Sequence, residues 1–557
     1  MKPYHKIISS SLLAVTLVIA SSCTDGFKDL NTPPDLITSK VITPELLLTS
    51  VQYNAVLIGF DDANSSNYCG MAVSDSNAPF VDFFADDDWY STYTTYANNL
   101  ANIIRITEDK PDLINKKAIA RIMKVWVFSR ATDSYGDIPY FEAALAPEKA
   151  ITTPKYDTQK SIYEDFFKEL KEAAAELDPA KDSYGGADLI YQGDVGKWKK
   201  FANSLRLRLA LRVRYADEAM AKNNMSDLQE SDLMLSRSDD ASIYTTNDVP
   251  EHRNGSYNAL VRSPGFLIKG LIGKTLLDIL KTNNDPRIRI YADTAKAAWP
   301  PTLNPPIPYF GFRGAPLLGF VPVTNKYPYG AESTSRISDF WYVPEIELPV
   351  LRSSEVYFSL AEAALFGLRA GDANDYFKKG ITAGITQTQD FYDRSKDQMP
   401  GVLKLMSPEA TPNELDATLN SLLSYKAMKQ SEIDAFLASP ATALTGTNED
   451  KLEQIINQKI VVLDPNALEG WAEWRRTGYP RVLVAANEGS TLQGVSPRRW
   501  HYPQAEALIN SANYTDAVGR MGGPKDDMLK RSWWDANPAA PHPHSGAVES
   551  MPNPWIN

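Results

Sequence analysis

The sequence predicts a mostly α-helical protein, a scaffold of tetratricopeptide-like helical pairs carrying long, irregular, aromatic-rich loops. Three observations lead there. Apolar residues recur at spacings of three and four from about residue 115 onward, the period of a buried helix face. Residues 353–386 read as helix, glycine turn and return helix, a unit of roughly 34 residues, which is the tetratricopeptide length. Residues 59–96 and 296–348 break the helical period, and long irregular loops on a rigid scaffold are where binding function tends to sit.

Taken in chain order, residues 1–22 place Lys2, His5 and Lys6 ahead of an apolar run from Ile7 to Ala20 and close on Ser21-Ser22. That is the pattern of a secretory signal peptide, too short for a spanning helix. Cys23 follows directly, the position of an acylated lipoprotein cysteine, so the mature chain is expected to begin with a lipidated Cys23. Acylation there leaves only Cys69, and stability must then come from the core and not from an internal disulfide. Residues 24–45 are rich in Pro, Asp and Thr without periodicity and read as a tether. The remainder, residues 46–557, reads as a single body.

Within that body, Ile162, Phe166, Leu170, Ala173 and Leu177 share one face of a helix over 161–177, and Asp178-Pro179 ends it. The same reasoning gives helices near 115–132, 194–215, 266–281, 353–369, 372–386, 413–424, 430–438 and 449–463. Ser354 to Leu365 followed by Gly371-Asp372 and by Tyr376, Phe377 and Ile381 is the most informative pair. Small residues sit at its packing positions and aromatics on its return helix. The loop region 59–96 is predicted irregular from its Asp and Asn content, and 296–348 from motifs such as Trp299-Pro300-Pro301 and Tyr327-Pro328-Tyr329-Gly330.

Composition narrows the function classes. The net charge of -12 repels a phosphate backbone, which disfavours nucleic acid as a partner. Five His leave few candidates for a His-based metal centre or catalytic triad. Gly273-Lys274-Thr275 ends like a phosphate-binding loop, but Ile268 stands where its first glycine is required. Asp86-Asp87-Asp88 lacks the spaced oxygens and the glycine of an EF-hand, and His542-Pro543-His544 lies in a Pro-rich tail. No cofactor is expected.

Several longer motifs resemble one family. Ala120 to Ala143, centred on Thr132-Asp133-Ser134-Tyr135-Gly136-Asp137-Ile138-Pro139-Tyr140, is similar to the hallmark helix and turn of the SusD/RagB-like nutrient-binding outer-membrane lipoproteins of Bacteroidetes. So are Gly193 to Arg208, Asp285-Pro286-Arg287, Glu469 to Pro480, Arg498 to Pro503 and the downstream Asn510 and Asn513-Tyr514. The resemblance implies a lipid-anchored protein facing the cell exterior that captures nutrients, often oligosaccharides. It also implies a partner, a SusC-like TonB-dependent transporter, over whose barrel the protein acts as a lid. Contact with the membrane would be through the lipid anchor alone. The family is not known as enzymes. A receptor for peptide or another non-sugar nutrient on the same scaffold is the alternative. A hydrolase using paired carboxylates at 86–88 is a distant third.

Within the motifs, Trp126, Trp198, Trp471 and Trp474 are expected to build core, and Asp133, Asp137 and Arg475 to hold turns. Ligand contact is expected in the loops, where aromatic faces can stack on sugar rings and polar groups can meet hydroxyls. The first candidate set is Asp86, Asp87, Asp88, Trp89, Tyr90 and Tyr93. The second is Trp299, Tyr309, Phe310, Phe312, Tyr327, Tyr329 and Trp341. For any one of these, packing against core or transporter stands open beside ligand contact.

Overall fold

The computed structural model describes residues 42–58, 66, 68–73, 85–145, 151–265, 269–295, 311–312, 314–315, 334–482 and 496–540. The signal segment, Cys23 and His542-Pro543-His544 lie outside them. The first helix, α1 (Pro44–Gln52), starts two residues inside the expected tether, with Pro44 at its first position and the Thr43 hydroxyl accepting from the Leu46 N–H, a favourable N-terminus. A π-helical turn (Tyr53–Ile58) and the short strand β1 (Ala72–Val73) follow.

Here the structure corrects the reading of residues 59–96. Residues from Asp86 on are helical: α2 (Asp86–Ser91) runs through a π-helical turn (Thr92–Ala97) into α3 (Asn98–Thr107). Asp86, Asp87 and Asp88 occupy the first turn, where carboxylates interact favourably with the positive end of the helix dipole. What reads as a polar loop is a charged helix start.

The scaffold proper is built from α4 (Ile114–Tyr135), α5 (Gln159–Glu176) and α6 (Val195–Arg212), with α4 and α6 each packed against α5. After α7 (Glu218–Asn223) come β2 (Ala241–Tyr244), α8 (Gly255–Arg262), β3 (Leu271–Ile272), α9 (Lys274–Thr282) and α10 (Ile288–Tyr291). The helix expected over 266–281 therefore begins only at Lys274, because Leu271 and Ile272 are taken up in pairing with β1. β4 (Glu347–Leu351) pairs antiparallel with β2.

The predicted hairpin is present as α11 (Ser353–Leu365) and α12 (Ala373–Lys396), the second helix running ten residues beyond residue 386. Asp372 caps α12 by accepting from the N–H groups of Asn374 and Asp375. Gly380 lets the two helices close up, since a Cβ there would lie 2.8 Å from the Phe358 ring. The body is completed by α13 (Met399–Met406), α14 (Pro412–Lys426), α15 (Gln430–Leu437), α16 (Asn448–Leu463), α17 (Ala467–Thr477), α18 (Glu506–Ile509) and α19 (Ser511–Arg520). α16 packs along α11.

The motif tryptophans are core, as expected: Trp126, Trp198, Trp471 and Trp474 are all buried. Around them runs a buried charge network that ties distant motifs together. Arg212 on α6 donates to Asp133 of α4 at 2.5 Å and also to Glu469 of α17, and the Tyr163 hydroxyl donates to the other Asp133 oxygen. Arg475 donates to the Asp133 carbonyl, and Arg476 forms charge-assisted bonds to Glu362 and Glu473. Burial pushes the Glu473 carboxyl up, but Arg476, Lys459 and Arg212 outweigh it and hold it well below the usual carboxylate range. Asp137 accepts from the Gln159 N–H and from Arg520 of α19, so it fixes the turn after α4 and docks the C-terminal helix. Removing one partner of such a network strands a buried charge, at a cost of about 3–5 kcal/mol.

Candidate functional site

The first candidate set does not stand out as one surface. Trp89 is 3 % exposed, enclosed by the rings of Tyr93, Tyr135, Tyr156 and Tyr502 at centroid distances of 5.0–5.9 Å. It is a core residue, which corrects its expected place on a ligand-facing loop: the first helical turn exposes Asp87 and Asp88, half-buries Asp86 and points the indole inward. Tyr93 is half-buried and donates to the Pro139 carbonyl at 2.9 Å. Asp88 lines a cavity of about 30 Å³ with Trp126, Arg130 and Trp500, room for water and not for a sugar ring. Tyr90, 38 % exposed, and Asp87 reach solvent. Burial pushes the Tyr90 phenol up, helped by Asp86 and Glu506.

Of the second set, Trp299, Tyr309, Phe310, Tyr327 and Tyr329 lie outside the described residues. Trp341 is half-buried on a 3-10 turn (Asp339–Tyr342), with its ring stacked on Phe391 of α12 at 4.3 Å and tilted against Tyr291 at 6.0 Å. Phe312 packs against the core, and its carbonyl accepts from Lys281 on α9 at 3.3 Å.

The structure brings described residues of both segments that break the helical period to one place, which the sequence did not reveal. Residues 270–276 form a hub. On one side β1 pairs with β3, Ala72 opposite Ile272 and Val73 opposite Leu271, and the Gly273 N–H donates to the Met71 carbonyl at 2.8 Å. On the other side Ala315 exchanges bonds with Ile272 and Lys274, at 2.9 and 2.7 Å, and residues 335–337 bond to Gly270 and Ile272. Glycines make this approach possible. A Cβ at Gly273 would lie 2.0 Å from the Gly70 carbonyl oxygen, and one at Gly314 would lie 2.4 Å from the Lys274 Cα. Gly70 itself has φ +73°, a conformation open to glycine at little cost.

A buried charge cluster closes the neck of the second region. Lys426, at the end of α14, donates to the Ala292 carbonyl, Asp293 and Ser338 at 2.6–2.9 Å. Lys269 bridges Asp293 to Asp339. Burial and, to a lesser extent, Asp293 push the Asp339 carboxyl up; burial acts the same way on Asp293, where Lys426 and Lys269 outweigh it and hold the carboxyl down. Residues 292–293 and 336–338 are thus held side by side. Gly273-Lys274-Thr275, which fails as a phosphate loop, serves instead as a junction that joins residues 70–73 to Ala315. Among the described residues no group of three or more His, Cys, Asp or Glu could hold a metal ion.

Comparison with known proteins adds a family. A family model described as SusD-like, "Susd and RagB outer membrane lipoprotein", matches residues 46–535. A solved chitin-binding protein is 30 % identical with a TM-score of 0.71, covering 89 % of this chain and 100 % of its own. A SusD homolog from Bacteroides fragilis is 23 % identical with a TM-score of 0.68 over 89 % and 100 % of the two chains. A chitin-binding SusD homolog from Flavobacterium johnsoniae is 24 % identical with a TM-score of 0.63 over 89 % and 98 %. No curated protein sequence matches the chain significantly.

Proposed function

The chain belongs to the SusD-like family of outer-membrane lipoproteins, and from that premise we propose that it is a surface receptor that captures oligosaccharides and passes them to a TonB-dependent outer-membrane transporter. The observation that supports the reading is the hub at residues 270–276, where residues 70–73, 315 and 335–337, each from one of the two segments that break the helical period, meet on the helical scaffold. Aromatic faces for stacking with carboxylates and amides around them are what sugar recognition requires. Two solved relatives are described as chitin-binding, which makes oligosaccharides of N-acetylglucosamine the first ligands to try.

In this reading residues 1–22 direct export, Cys23 carries the lipid, and residues 24–43 link it to α1. Attachment is assigned to the lipid because the family is one of outer-membrane lipoproteins; among the described residues no helix is long and apolar enough to cross a membrane. Tyr90, Asp87, Phe312 and Trp341, together with the second-region aromatics Trp299, Tyr309, Phe310, Tyr327 and Tyr329, are the residues assigned to ligand or transporter contact. The protein binds its ligand and leaves it chemically unchanged.

The test is calorimetric titration of the purified protein with oligosaccharides of chitin, starch, cellulose and pectin and with a mixed peptide set. Saturable binding of at least one oligosaccharide is the expected outcome. Binding to peptides with none to any saccharide would refute the sugar reading. Affinity purification from native outer membranes in mild detergent should recover a β-barrel transporter in near-equal amount, and recovery of the protein alone would count against the partnership.

A further inference from the structure

Beside the hub, on the far wall of α9, opens a polar cleft of about 330 Å³, at the low end of the roughly 300–1,000 Å³ typical of small-ligand sites. Two walls face each other across it. One is α9, with Lys274, Asp278 and Thr282; the other is formed by Glu453 and Asn457 of α16 and by Arg481. We infer that this cleft is a binding subsite for one uncharged, hydroxyl-rich sugar unit. The inference rests on the saccharide reading above and gives that reading a specific place.

The charge arrangement selects the ligand class. Lys274 is paired with Asp278 on its own wall, and Arg481 is paired with Glu453 through two hydrogen bonds of 2.8 and 3.0 Å on the other. Each charge is neutralised within the cleft, so an anionic or cationic ligand would have to break an existing pair to gain one. A hydroxyl need not, because it can donate to a carboxylate and accept from an ammonium or guanidinium at the same time.

One group lacks a partner. The Asn457 Oδ1 is buried and accepts no hydrogen bond, an arrangement that costs stability unless something donates to it. Asn457 lines the cleft, and a rotation of its amide about χ2 would turn that acceptor to a sugar hydroxyl or an acetamido N–H. Ile279 and Pro480 add apolar surface to the lining for the C–H face of a ring. The cleft also shares Lys274 and Thr275 with the hub: the Lys274 N–H bonds Ala315, and Thr275 lies against Gly70. A chain held by the loops could thus extend a unit into it.

The experiment titrates chitotriose, maltotriose, cellotriose and trigalacturonate into the full-length protein and two variants. Thr282→Trp fills the cleft from an exposed position, and Asn457→Leu removes the unpartnered acceptor at similar volume. Each variant is expected to weaken the best neutral trisaccharide at least tenfold without lowering its melting temperature. If a neutral trisaccharide binds the wild type and both variants equally well, the subsite is overturned while the receptor reading stands. If no neutral saccharide binds the wild type, the receptor reading fails and the subsite with it. Trigalacturonate binding more tightly than every neutral trisaccharide would overturn the assignment of an uncharged ligand.

Discussion

Replacing Gly273 by Ala attacks the hub with a single methyl group. The added Cβ would lie 2.0 Å from the Gly70 carbonyl oxygen, 2.6 Å from its carbon and 3.0 Å from the Met71 oxygen. All three are backbone atoms, so no side chain can swing aside. Relief requires β1 and β3 to part by about 1 Å, and overpacking of this kind costs about 1–3 kcal/mol. Four bonds are in reach of the strain: Gly273 to Met71, Leu276 to Gly70, and the two between Ala315 and residues 272 and 274. Each contributes about 1 kcal/mol net, so weakening two of them costs about 2 kcal/mol. With an unfolding entropy near 2 cal/mol/K per residue, a cooperative body of this size loses about 1 °C per kcal/mol, giving a fall of about 2 to 3 °C in melting temperature. Affinity for the best oligosaccharide should fall far more, by tenfold or beyond, because both loop roots move. Gly401→Ala is the control, since nothing lies within 4 Å of a Cβ there, and it should be neutral in both assays. Calorimetric titration and thermal melts of the two variants decide the matter. A Gly273→Ala protein that binds sugar as tightly as the wild type would refute the idea that the hub positions the site.

Three further outcomes follow from the same geometry. Trp89→Ala should destabilise the fold by about 3–5 kcal/mol, the range for deleting a buried aromatic, whereas Tyr90→Ala should leave the melting temperature in place; thermal melts of the pair check this, and an unchanged melt for Trp89→Ala would return that indole to the ligand surface. Burial pushes the Glu347 carboxyl up, but Arg352, Arg237 and Ser242 outweigh it and hold it at about 2, below its ordinary 4.5. A depressed acid stabilises the fold above its unfolded value and loses that contribution as pH falls through the folded one. Stability measured by denaturant titration should therefore fall between about pH 4.5 and 2, by an amount on the order of 3 kcal/mol from this group alone, and Glu347→Gln should flatten that part of the profile. Cys23→Ala should move the protein from the membrane to the soluble fraction with its melting temperature unchanged, and salt-extractable wild-type protein would contradict lipid anchoring.

The helical scaffold was legible because long helices with one apolar face write their period into the sequence, as Ile162, Phe166 and Leu170 do on α5. The hairpin of α11 and α12 was legible for the same reason, with Gly371-Asp372 marking its turn. α2 was not. Only six residues long before the π-helical turn, it offers too short a window for periodicity, and its three aspartates resemble loop composition although carboxylates suit a helix start. The strands β1 to β4 are two to five residues long and equally silent. The hub could not be foreseen, because the contact of Gly70 with Gly273 joins residues some two hundred positions apart and glycine carries no side-chain signal of what approaches it. Nothing in their sequence pattern marks the arginines of α6 as buried. Arg206, Arg208 and Arg212 are all buried, because Asp227, Glu355, Asp133 and Glu469 come to them from elsewhere in the chain.

The most direct test of the account is hydrogen exchange of the full protein with and without a saturating oligosaccharide. Capture on the hub predicts slowed exchange concentrated in residues 68–73, 270–283 and 311–315, with α5 and α6 unchanged. Slowed exchange confined to segments remote from residues 270–283, with the hub exchanging as in the free protein, would contradict it.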